Sequence, residues 1–220
     1  ANRDYDRLEA ASVLVSFPGD FLETPSGFSE YANFMTTSEK TLGFEQCISQ
    51  AKSGWFTGVF TGLTHAGYPF LLSDTALKPD RWQRFKAIVL NTYEYLSSDL
   101  QADLVEFVKS GRTVVMGPKV PNLNEQMAAD TTLQAALNAA NASPLLVKGL
   151  EIGTVYPVGQ GKIVVVTDWA EPTAALQAAL GDAGLVRFTR NDPRLDVTIH
   201  REANKDGRLI VFGLYAGEDE

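Results

Sequence analysis

Apolar residues along this chain fall into two alternating rhythms, short unbroken runs and longer stretches repeating every three or four positions. "ASVLVSF" (11–17) is a run of the first kind, stopped by Pro18-Gly19, and it predicts a strand buried on both faces. From Ser38 to Ala66 the residues Phe44, Ile48, Ala51, Trp55, Val59 and Leu63 recur at helical spacing, and Gly67 stops the helix. "YPFLLSD" (68–74) predicts a second strand, "TALKPDRWQRFK" an amphipathic link, and "AIVLN" (87–91) a third strand. Ser98-x-x-Gln101 then has the form of a capping box. The helix it opens places Leu100, Leu104, Phe107 and Val108 on one stripe, carries Asp99 and Asp103 early and Lys109 late, and ends before Gly111. "TVVMG" (113–117) supplies a fourth strand. Strands separated by helices of this length imply crossover connections, hence a mostly parallel sheet with helices on both faces.

The rhythm changes after the helical "DTTLQAALNAANAS". Gly149, Gly153, Gly159 and Gly161 punctuate "PLLVKGLEIGTVYPVGQGKIVVVTD", which predicts antiparallel hairpins at the sheet edge, ending in the apolar strand Ile163 to Thr167. "PTAALQAALGDAG" follows as a helix with Pro172 in its first turn and Gly184 beyond its end. Past Asp192-Pro193, "LDVTIHRE" and "RLIVFGLYAG" flank an Asp206-Gly207 turn and predict a β-hairpin. A lone hairpin is marginal in water, so it is expected to lean on the body or to belong to a larger sheet. The expected organisation is an α/β domain over 1–190 and a β-hairpin, or the start of a small β-domain, over 191–220.

Charge and composition narrow the function classes. The 220 residues are 45% hydrophobic, enough for a substantial core. A net charge of −8 opposes any phosphate-backbone ligand, so nucleic acid is not an expected partner. There is no apolar run of 18 residues, and a membrane is not expected either. One cysteine excludes an internal disulfide, and two histidines with no cysteine pair do not form a typical zinc site. The compartment is left open.

Ligands of open α/β sheets sit beyond the carboxyl ends of the strands. Asp20, Asn91, Glu94 and Asn122, in the loops after strands one, three and four, are therefore the binding candidates if the chain is a free-standing small-molecule hydrolase or ligand-binding domain. Glu94 lies between Tyr93 and Tyr95, but no second carboxylate accompanies it as an acid–base pair. A nucleophile elbow needs Ser or Cys on the turn after its strand, and "GRTVVMGPKVPNLNE" (111–125) offers Met116-Gly117-Pro118-Lys119 instead. No catalytic residue is assigned. Cys47, inside the first helix, is read as a packing thiol. Gly54, Gly58 and Gly62, four apart, bare one helix face at a cost of roughly 1 kcal/mol of propensity each; tight helix packing is the favoured reading over a ligand. Neither this run nor "GQG" fits G-x-G-x-x-G between strand and helix, so no cofactor is expected. Trp55, Phe56, Trp82, Phe85 and Trp169 serve core or interaction surface, with core the favoured reading.

The succession "WQRFKAIVLNTYEYLSSDLQADLVEFVKSGRTVVMGPKVPNLNE" resembles the middle of the β-galactosidase trimerisation domain, the glutamine-amidotransferase-like α/β domain of family 42 glycoside hydrolases. "YPVGQGKIVVVTDWAEPTAALQAALGDAGL" and "LDVTIHREANKDGRLIVFGLYAG" are similar to that domain's last strand and helix and to the start of the β-domain after it. The resemblance spans about residues 80 to 215, and Arg112 stands where the family has a second glycine. It implies a flavodoxin-like or class I amidotransferase-like fold, in a non-catalytic accessory module of a glycoside hydrolase. The catalytic carboxylates would then lie in a (β/α)₈ barrel, which takes about 250 residues by itself. The implied partners are further copies of the chain, as a homo-oligomer such as a trimer, or the catalytic barrel of the same protein.

Overall fold

The computed structural model describes residues 5–7, 13–17, 58–74, 82, 85–92, 96–126, 128–185, 187–189, 195–202 and 209–215. Expectations for Asp20, Cys47, Gly54, Trp55, Phe56, Glu94 and the Asp206-Gly207 turn, and for the start of the first helix, fall outside these residues.

Among the described residues, ten strands make two sheets. The larger contains β2 (Val13–Phe17), β3 (Phe70–Asp74), β4 (Ala87–Thr92), β5 (Thr113–Pro118), β6 (Ser143–Val147), β7 (Leu150–Val158) and β8 (Gly161–Val166), in the order β3-β2-β4-β5-β8-β7-β6. The first five in that order run parallel, and the β6–β7 hairpin closes the edge antiparallel, as the change of rhythm predicts. The helices that flank it include α1 (58–66), α2 (Ser98–Lys109), α3 (Thr132–Asn138) and α4 (Pro172–Leu180).

Strand alternation divides the core into two layers. Ala87, Val89, Val115, Val164 and Val166 face α1 and α4, where they meet Leu63, Ala175, Leu176 and Leu180. Ile88, Leu90, Val114, Met116, Ile163 and Val165 face α2 and α3, where they meet Leu104, Phe107, Val108, Leu133 and Leu137. Consecutive apolar residues in β4, β5 and β8 are thus all used, which is why these strands read as unbroken runs. No described helix is long and apolar enough to cross a membrane.

The glycine spacing in α1 has a packing cause. A Cβ on Gly62 would lie 2.8 Å from Leu176 Cδ1 and 3.0 Å from the backbone carbon of Pro172, and one on Gly58 would touch Pro172 at 3.8 Å. The missing side chains let α1 lie directly on α4. Gly62→Ala should therefore destabilise the protein by about 1 kcal/mol, the clash outweighing the better helix propensity of alanine, whereas Gly58→Ala should be neutral or stabilising. Chemical denaturation of the two variants checks the contrast. "GQG" is likewise structural: Gly159 has φ +60°, a Cβ on Gly161 would lie 2.1 Å from the Arg112 carbonyl oxygen, and the Gln160 N–H donates to the Lys109 carbonyl at 3.3 Å. This turn is pressed against the end of α2.

Arg112, the departure from the family pattern, has partners of its own. Its Nε donates to the Phe85 carbonyl at 3.1 Å and its guanidinium lies 5.2 Å from the centre of the Phe107 ring.

The second sheet has the order β1-β9-β10, with β1 at Tyr5–Arg7, β9 at Leu195–Glu202 and β10 at Leu209–Tyr215. β9 and β10 form the expected antiparallel pair. The third strand comes from the other end of the chain and had no signal in the sequence.

Candidate functional site at the carboxyl ends of the strands

The parallel strands deliver their carboxyl ends to one edge, and the loop after β5 is the best-described part of it. Asn91 pairs with Gly117 and Thr92 with Pro118 at the ends of β4 and β5. The Thr92 hydroxyl donates to the Lys119 carbonyl at 2.6 Å, and the Lys119 N–H donates to the Thr92 carbonyl at 3.2 Å. No helix follows at once: residues 119–131 form a loop, and α3 begins at Thr132. A nucleophile elbow is a strand-turn-helix, so this turn lacks the elbow's form as well as its residue.

Gly117 makes the point in atomic terms. Its φ is +154°, and a Cβ there would lie 2.0 Å from the Val166 carbonyl oxygen and 3.2 Å from Trp169 Nε1. Trp169 is fixed by donating Nε1–H to that same Val166 oxygen at 3.0 Å. The neighbouring strand leaves no room for any side chain, nucleophilic or otherwise.

The loop is held onto the start of α2, and here the capping-box expectation is corrected. The helix is preceded by Ser97, whose side chain makes no capping bond. The loop supplies the cap instead: the Ser98 N–H donates to Glu125 Oε2 at 2.8 Å, while the Ser98 hydroxyl donates to Asp130 Oδ2 at 2.5 Å and ties the loop to the helix start. Gln101 does not reach back to a capping serine either. It is fully buried, and its Nε2 donates to the carbonyls of Leu96 at 2.9 Å and Leu123 at 3.4 Å. Carboxylates from elsewhere in the chain satisfy helix N–H groups as well as a local box does, and the helix dipole favours them. Sequence spacing sees only local partners.

These bonds carry a pH dependence. The Ser98 backbone N–H is the main cause holding Glu125 below the usual carboxylate range, and the Ser98 hydroxyl, then the Thr132 N–H, do the same for Asp130. A depressed carboxylate contributes stability above its unfolded value, and that contribution is lost as pH falls through the folded one. The 119–131 loop should therefore loosen only below the ordinary carboxylate value of about 4. Amide exchange of the loop, corrected for intrinsic rates across pH 3 to 6, should show protection falling at the acid end; a pH-independent protection factor would contradict it.

Among the sequence candidates, Asn122 is exposed and its carbonyl accepts the Asp130 N–H at 2.8 Å, which closes the loop on itself. Asn91 is the second-last residue of β4 and the register partner of Gly117 on β5. Asp20 and Glu94 lie outside the described residues, so Asn91 and Asn122 are the two whose backbone positions can be compared. Trp82 and Phe85 are buried in the core, and Trp169 is half-buried against it. His65 is exposed at the end of α1, and no group of three metal-binding side chains occurs among the described residues. Asp103 is the described carboxyl pushed upward, by burial first and by Asp99 second. It sits on α2 with no placed acid–base partner.

What sequence reasoning missed is an apolar surface on the same side, at the β6–β7 turn, where the register places the turn near the carboxyl end of β8. Leu146 and Leu150, either side of the β6–β7 turn, are 53% and 70% exposed. Leu145 is buried and Leu146 exposed on opposite faces of the strand, but the pair reads like the doubly buried runs of β4 and β5, so the sequence carries no signal for it. Beside them a cleft of about 110 Å³ is lined by Val147, Lys148, Leu150, Ile152, Asp168 and Glu171, with Lys148 paired to Glu171 at 2.7 Å. It is well short of the roughly 300 Å³ of a small-ligand pocket.

The family model described as "GLMA-like, second domain" matches residues 38–158, more than half of the chain. The chain belongs to this family. It is the β-galactosidase trimerisation domain that the sequence resembles, an accessory domain, and no catalytic barrel occurs among the described residues. Solved structures agree in fold. The β-galactosidase of Bacillus circulans sp. alkalophilus superposes with a TM-score of 0.67 at 12% identity, over 96% of this chain and 36% of its own. A GH42 β-galactosidase from G. stearothermophilus gives 0.61 at 12%, over 88% and 33%, and a β-galactosidase from the haloarchaeon Halorubrum lacusprofundi gives 0.57 at 12%, over 89% and 35%. The chain thus spans about a third of the length of these proteins. No curated protein sequence matches it.

Proposed function

We propose that this GLMA-like domain works as the assembly module of a multidomain glycoside hydrolase of the β-galactosidase type, self-associating as a homo-oligomer such as a trimer or seating the catalytic barrel of its own chain. The observation that carries the reading is Gly117: where amidotransferase-type enzymes of this fold hold a nucleophile, the Val166 carbonyl oxygen fills the space. Family membership supports it, as does the likeness in fold to three β-galactosidases. The exposed pair Leu146 and Leu150 provides an apolar contact of the kind an interface core uses.

Light scattering behind a sizing column, from micromolar to several hundred micromolar chain, tests the reading. The expected mass rises with concentration towards an oligomer, and Leu146→Lys combined with Leu150→Lys returns it to the monomer. Saturable turnover of an aryl galactoside by the chain, with a monomer mass throughout, would overturn it.

A further inference from the structure

The small sheet draws its strands from both ends of the chain. β9 is the middle strand: on one side Leu209 to Tyr215 pair with it from Arg201 back to Leu195, and on the other Tyr5, Asp6 and Arg7 pair with Glu202, Arg201 and His200. The whole α/β body, β2 through α4, lies in sequence between β1 and β9. We infer that β1 is a strap: the segment before the α/β body folds as one unit with the segment after it, so the body is an insertion within a single β-unit. The domain division is then discontinuous, with residues 5–7 grouped with 195–215.

Two physical arguments support the strap. A two-stranded hairpin is marginal in water, and a third strand is the smallest addition that changes this. An antiparallel middle strand has both sets of its alternating N–H and C=O groups bonded, whereas at a sheet edge every other residue is left open. β1 pairs with the end of β9 nearest the β9–β10 turn, and so stabilises the hairpin where its two strands converge. The consequence for assembly is mechanical. Whatever precedes the body in the chain is tied by backbone hydrogen bonds to the β-unit that follows it, and the two cannot separate without losing a strand.

Paired cysteines test the register in the full chain, with Cys47→Ser as background. Asp6→Cys with Arg201→Cys joins register partners, whose Cα atoms in an antiparallel pair are about 4.5 to 5.5 Å apart, within disulfide range. Arg7→Cys with Ile210→Cys is the control: both residues are register partners of His200, on opposite sides of β9, and so lie about 9.6 Å apart, beyond that range. Under mild oxidation the first pair should bridge at least about tenfold faster than the second, read by peptide mapping without reductant. Equal rates, or no bridge in the first pair, would overturn the strap. A measurement without cysteines guards against misfolded variants. In the unaltered chain, amides of His200, Arg201 and Glu202 should all be slow to exchange, and deleting residues 1–8 should expose alternate ones. An unchanged pattern after deletion would overturn the inference even if the chain still oligomerises, so its failure is separate from that of the assembly reading.

Discussion

Gly117→Cys is expected to unfold the protein or to cost it several kcal/mol. A Cβ at that position would lie 2.0 Å from the Val166 carbonyl oxygen, a backbone atom of the central sheet that cannot rotate away. Overpacking in a filled interior costs about 1–3 kcal/mol where side chains can yield, and more where backbone must move. The positive φ of +154° adds strain for any side chain. Against a total stability of about 5–15 kcal/mol this is a large fraction. Because the clash begins at the Cβ, Gly117→Ala should suffer nearly as much, and adding a thiol should make little further difference. Urea denaturation of both variants is the check; either one within about 1 kcal/mol of the parent would show that the strand can shift. The functional meaning is that one substitution cannot restore a nucleophile at this turn.

The second large effect is at Gln101. Its side chain is fully buried, and its amide nitrogen holds two carbonyls, Leu96 before α2 and Leu123 in the 119–131 loop. Gln101→Ala leaves a cavity and removes a buried donor from the Leu96 carbonyl, and each of these costs about 1–3 kcal/mol. A total of about 2–6 kcal/mol is expected, with faster amide exchange across residues 119–126. Gln101→Leu keeps most of the volume and loses only the donors, so it separates the two causes. If loop exchange is unchanged in both variants, Gln101 is not the anchor. Its Oε1 has no hydrogen-bond partner among the described residues, so the leucine variant loses the donor side of the amide alone.

The strands of the larger sheet were legible because burial on both faces leaves a mark in one dimension. "AIVL" and "TVVM" alternate between the two core layers and so read as unbroken apolar runs. α2 was legible from its stripe, and Gly111 from its positive φ of +97°. The capping arrangement was misread for the opposite reason. Ser98 and Gln101 have the spacing of a local box, yet Ser98 is bonded to Glu125 and Asp130 and Gln101 to Leu123 as well as to nearby Leu96, and the first three lie more than twenty residues away. A hydrogen bond to a distant loop leaves no periodicity. β1 is the extreme case, three residues of mixed polarity whose pairing depends on strands at the far end of the chain.

By itself, then, the sequence determined the α/β class, the mostly parallel order, the edge hairpin, and the absence of a nucleophile from the fourth-strand turn, because each depends on local composition and spacing. Tertiary structure alone decided why that turn must be glycine, which carboxylate caps α2, which leucines at the β6–β7 turn reach the surface, and where residues 5–7 belong. Each of these is settled by the approach of atoms remote in sequence, and only the folded chain brings a Val166 oxygen to Gly117 or a Glu202 backbone to Tyr5.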